Sequence, residues 1–67
     1  MFFTNEDYKI MKQNNWSTSY VENVLKEYAL DYGLSFDEVC QIFQMYGVNE
    51  LFDGVMIACE DFSEMFE

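Results

Sequence analysis

Leu34-Ser35-Phe36-Asp37-Glu38-Val39-Cys40-Gln41-Ile42-Phe43-Gln44-Met45-Tyr46-Gly47 is the stretch that decides how this chain folds. Ser35 stands three residues before Glu38. At that spacing a serine hydroxyl and a glutamate carboxylate satisfy each other's backbone N–H groups where a helix begins. Leu34 and Val39 flank this capping box as a hydrophobic staple. Phe36, Val39, Cys40, Phe43 and Tyr46, assisted by Ile42, then recur at helical spacing as a buried stripe. Gly47 ends the helix, since glycine takes up the backbone turn that closes a helix at little cost.

The same punctuation repeats upstream. Val21, Val24, Leu25, Tyr28, Ala29 and Tyr32 fall on one face of a helix that Gly33 closes, with Leu34 folding back over Tyr28 or Ala29. Trp16 and Ser17-Thr18-Ser19 open that helix, with Ser19-x-x-Glu22 as one cap to consider. Thr4-x-x-Asp7 forms a second capping box, stapled by Phe3 and Tyr8, and predicts a short helix over about residues 5–13. Downstream, Asn49 is placed to cap a last helix that runs toward the C-terminus. No segment alternates with period two, and proline is absent. The expectation is all-α: one domain over residues 1–67, a compact bundle of three to four short helices with no sheet.

A chain of 67 residues buries only about 60% of the surface its unfolded form exposes, so its stability is marginal. Seven Phe, five Tyr and one Trp are more large apolar surface than one small core encloses, which makes a homodimer or a bound partner an expectation. The net charge of −10 is unevenly spread. Residues 1–26 balance Glu6, Asp7 and Glu22 against Lys9, Lys12 and Lys26, whereas residues 27–67 hold ten carboxylates and no lysine or arginine. A nucleic-acid binder needs cations to displace the counterions condensed on phosphates, and an anionic membrane repels such a chain. The complement is a basic protein surface. Met1-Phe2-Phe3 runs straight into Glu6 and Asp7, unlike a signal peptide, and no stretch approaches spanning length. Cys40 and Cys59 lie among apolar residues without C-x-x-C spacing. They read as two buried free thiols in a reducing cytoplasm, with a disulfide between the last two helices as the alternative.

Residues 50–67 carry the functional signal. On one continuous helix, Glu50, Asp53, Glu60, Asp61, Glu64 and Glu67 share an arc of roughly 120°. Leu51, Phe52, Val55, Met56, Ala58, Cys59, Phe62, Met65 and Phe66 fill an arc of roughly 180° beside it. Ile57 projects from the middle of the acidic arc. Two readings stand side by side: an ordinary solvated face opposite a core, and a docking face with Ile57 as an apolar contact ringed by charge. The crowding of carboxylates in the C-terminal turns strains the first, because the helix dipole disfavours negative charge there, so either the tail frays or an external basic group binds it. Gly54 implies either a close approach by another helix or a helix that starts after it.

Other chemistry finds little support. Asn49, Asp53, Gly54 and Glu60 match positions of a calcium loop, but Leu51 and Ile57 stand where oxygen ligands belong. Two separated cysteines without histidine do not make a zinc site. No histidine activates a nucleophile, and adjacent carboxylates such as Asp37-Glu38 point in different directions on a helix. The expectation is a non-enzyme without cofactor or metal.

The stretch Tyr28-Ala29 followed by Ser35 through Val48 resembles a family of short bacterial proteins of unknown function, domain-of-unknown-function family 3791. Its members share a serine-capped helix ending in an aromatic-x-x-aromatic-Gly-Val pattern. The resemblance spans about residues 20–53. Members look to be encoded beside a toxin-like protein with an ADP-ribosyltransferase-like fold, which implies an antitoxin or partner role. The sequence departs from the family's Tyr-Asp and following His, having Asp53 through Cys59 there, so no functional residue is carried over. Three functions follow: an acidic inhibitor or antitoxin-like module covering a basic surface on a toxin or enzyme; a phage or mobile-element mimic of nucleic acid that blocks a defence nuclease, as anti-CRISPR proteins do; and a structural or oligomerisation subunit.

Overall fold

Each helix begins where its side chains can satisfy the free N–H groups of a first turn. In a computed structural model, which describes residues 3–65, the Thr4 hydroxyl accepts from the Asp7 N–H while the Asp7 carboxylate accepts from the Thr4 N–H, both at 3.1 Å. Helix α1 follows over Asn5–Gln13. Phe3 and Tyr8 staple its entry, with ring centroids 5.6 Å apart. Ser17 caps α2 (Thr18–Tyr32) by accepting from the Tyr20 N–H at 3.0 Å. The cap is therefore Ser17 and not Ser19. Ser35 and Glu38 close the expected capping box on α3 (Phe36–Tyr46), at 2.8 and 3.1 Å. At the other end of α2, Gly33 turns left-handed, and both it and Leu34 donate to the Ala29 carbonyl. Leu34 is thereby tucked into the core.

After α3 the chain makes a single 3-10 turn at Val48–Glu50 and then α4 over Gly54–Glu64. No strand occurs among the described residues, so the fold is an all-α bundle. Helices α2, α3 and α4 pack on one another, and α1 lies against the 3-10 turn. Val21, Leu25, Val39, Phe43, Val48, Leu51, Val55 and Cys59 are wholly buried between them. Complete burial of a Val, Leu or Phe side chain stabilises by about 1.5–3 kcal/mol, the term that offsets chain entropy in so short a protein.

Two expectations need correction. The first concerns α3, where Ile42 is only 8% exposed while Tyr46 is 46% exposed. The buried stripe is rotated toward Ile42, because α4 packs along that side and Tyr46 is left at its edge. The second concerns the last helix. Residues 50–67 are not one rod, and Asn49 does not cap it, since α4 starts only at Gly54. The cause is the burial of both Val48 and Leu51. Residues three apart eclipse in a 3-10 turn, which puts both on the core side. The Tyr28 hydroxyl donates to the Leu51 carbonyl at 2.9 Å, holding this turn against α2. Asp53 sits at φ −120°, ψ −93°, outside helical space, and breaks the ladder.

Candidate protein-interaction surface

Val55 and Cys59 fix the orientation of α4, for both point into the core. At roughly 100° per residue, Ile57, Glu60, Asp61 and Glu64 then share the opposite side. All four are exposed, Ile57 at 54%. The structure thus keeps together the C-terminal part of the predicted acidic face. Asp53, though exposed, belongs to the turn before α4, close enough to Tyr28 for its charge to act on that hydroxyl. Glu50 is half-buried in the 3-10 turn, where its carboxylate accepts from the Gly54 N–H at 3.1 Å. It caps α4 instead of facing outward. Glu67 and Phe66 lie outside the described residues.

The carboxylates therefore divide by position. Asp7, Glu38 and Glu50 each accept from backbone N–H groups at the start of a helical segment, where negative charge is favourable. Glu60, Asp61 and Glu64 occupy the last turns of α4, which carry no basic residue. There the helix dipole opposes them.

Beside this acidic side runs an apolar groove. Gln41, Ile42, Met45 and Tyr46 of α3, with Glu38 at their head, line one wall; Ala58 and Phe62 of α4 line the other. Going round α4 from the core, Phe62 and Ala58 come first, then Asp61, Ile57, Glu64 and Glu60. The groove encloses about 250 Å³. Met45, 79% exposed, and Tyr46 form its outer lip. Gly54 is required at its end, since a Cβ there would stand 2.8 Å from the Tyr46 ring. Of the two expectations for Gly54 the close approach of a neighbouring helix holds, whereas the helix starts at Gly54 and not after it.

The two thiols are free, Cys59 buried and Cys40 half-buried. Burial pushes both up from their ordinary range, with Asp37 and Glu22 adding to the effect at Cys40. Both are held protonated at neutral pH, the poorly nucleophilic form. The calcium-loop frame is split, with Asn49 in the 3-10 turn and Glu60 within α4. Among the described residues, no group of three or more Cys, Asp or Glu is placed to hold a metal ion. No described helix is long and apolar enough to cross a membrane.

Two features escaped sequence reasoning. Asp7 is buried, and its second oxygen accepts from the Val48 N–H at 3.2 Å, tying α1 to the 3-10 turn. No local pattern announces a bond across forty-one residues. The groove also went unseen, although Met45 and Ala58 on the flanks of their apolar stripes were its available signal. No protein-family model, no curated protein and no solved structure matches this chain.

Proposed function

We propose that this protein is a non-catalytic binding module that covers a basic surface on another protein, as an inhibitor or antitoxin does. The observation that carries this reading is the placement of Glu60, Asp61 and Glu64 around exposed Ile57, at the helix end where folding alone would favour cations. Those charges stand at a helix C-terminus without a basic residue in the last turn. A cationic partner would relieve both their mutual repulsion and their conflict with the helix dipole. The sequence resemblance to family 3791, which no family model carries, would imply an antitoxin role in a bacterial cytoplasm. A nucleic-acid mimic directed at a defence nuclease would use the same face and differ only in its partner. Self-association has less in its favour, because two copies each carrying −10 repel.

The test compares two triple reversals that change net charge equally. One replaces Glu60, Asp61 and Glu64 by lysine; the other replaces Glu27, Asp31 and Asp37, which are exposed on α2 and α3. Immobilised wild-type and variant chains are exposed to host lysate and eluted with salt. The α4 reversal should lose the salt-eluted partner while the control keeps it, with helical circular dichroism unchanged in both. Retention of the partner by the α4 reversal at physiological salt would refute the proposal.

A further inference from the structure

The groove between α3 and α4 holds about 250 Å³, below the roughly 300–1,000 Å³ usual for small-ligand clefts. It nevertheless exceeds the about 150 Å³ cavity that takes a benzene ring. That size suits an anchoring side chain or two. Its floor is apolar, from Ile42, Ala58 and Phe62, and Met45 supplies a flexible thioether at the lip. Exposed methionine adapts to aliphatic and aromatic partners alike. The surroundings are anionic on both sides, with Glu38 on the α3 wall and Asp61 and Glu64 beyond Ala58 on α4. No lysine or arginine occurs after Lys26 to offset them.

From this geometry we infer that the groove receives an amphipathic, lysine- or arginine-rich helical segment of the partner. The segment inserts apolar anchors between α3 and α4 while its cations meet Asp61 and Glu64. The inference rests on the proposed acidic-face reading and deepens it by assigning an anchor site. Charge complementarity selects this occupant over a second copy of the chain, whose own −10 would be brought against the same rim.

The probe is a short, fluorescently labelled lysine–leucine peptide with leucines at helical spacing, compared with a scrambled isomer of identical charge. Binding is followed by anisotropy at physiological salt, alongside methyl chemical shifts. The patterned peptide should bind at least about tenfold more tightly than its isomer and shift the methyl signals of Ile42, Met45 and Ala58. Ala58→Trp fills the groove and should remove that preference. Met45→Lys, at an exposed position that does not threaten folding, should weaken the patterned peptide without abolishing charge-driven binding of the isomer.

Equal affinity for the two peptides, or a preference that survives both substitutions, would overturn the groove assignment. If the Glu60, Asp61 and Glu64 reversal then still abolished both peptides, the acidic-face reading would stand without it. A wild-type dimer in sedimentation that Met45→Lys dissociates would make a second copy the occupant, and so overturn the inference as well.

Discussion

Asp7 and Asp61 are the same side chain put to opposite uses. Asp7 sits at the third position of α1, buried, with its two oxygens receiving the N–H groups of Thr4 and Val48. Asp61 sits in the exposed last turns of α4, where the helix presents carbonyl oxygens and no cation. At α1 the charge completes a first turn and fastens a helix to a distant turn. At α4 the same charge meets no backbone donor and no cation at a helix end that favours positive charge. The difference teaches that net charge alone says little here. What separates structural from partner-directed carboxylates is which end of a helix they occupy and whether a backbone donor meets them.

The contrast is broken most severely at Asp7. Asp7→Ala leaves the Val48 N–H buried without an acceptor and removes the carboxylate half of the α1 capping box. Urea unfolding should show a loss of about 3 kcal/mol, a large share of the stability of so short a chain. Asp7→Asn keeps an acceptor oxygen and should recover part of it. An effect of Asp7→Ala no larger than that of Asp61→Ala would erase the distinction between the two regions.

Next in size is Gly47, whose φ of +84° with ψ of 167° joins α3 to the 3-10 turn that Asp7 holds. Side-chain-bearing residues rarely adopt that conformation, so Gly47→Ala should cost about 1–3 kcal/mol in thermal unfolding.

Tyr28→Phe comes third. It leaves the buried Leu51 carbonyl without its hydroxyl donor and should lower stability by about 1 kcal/mol. Burial, reinforced by neighbouring Tyr32, pushes the Tyr28 hydroxyl up to about 12. The unfolded chain releases that proton near pH 10. The stabilisation is therefore intact below pH of about 10 and lost as pH rises through about 12. The alkaline decline of wild-type stability over that window should be shallower in Tyr28→Phe.

The smallest effect belongs to the other side of the comparison. Reversing Glu60, Asp61 and Glu64 to lysine should leave the unfolding midpoint unchanged or slightly higher, because cations suit a helix C-terminus. A substantial loss of stability on calorimetry would mean that these acids serve the fold after all.

Local signals carried much of this structure. Thr4-x-x-Asp7 and Ser35-x-x-Glu38 marked two helix starts, and Gly33 and Gly47 marked two ends, because capping depends on residues within a few positions of one another. The apolar faces of α2 and most of α3 were legible for the same reason. The last helix was misread because its wheel assumed continuity through Glu50 to Asp53. The 3-10 turn that buries Val48 and Leu51 and the non-helical backbone at Asp53 break that continuity. Of the proposed face, Ile57, Glu60, Asp61 and Glu64 survive the break because they lie within one uninterrupted helix.

The sequence by itself determined an all-helical chain, its two capping boxes, its closing glycines and the one-sided excess of negative charge. Each follows from neighbouring residues or from simple counting. Only the tertiary structure decided that Asp7 is buried against Val48, that Glu50 caps α4, and that α3 and α4 leave a groove beside the acids. Those outcomes depend on which elements meet in space, and on competition for backbone hydrogen bonds between residues far apart along the chain.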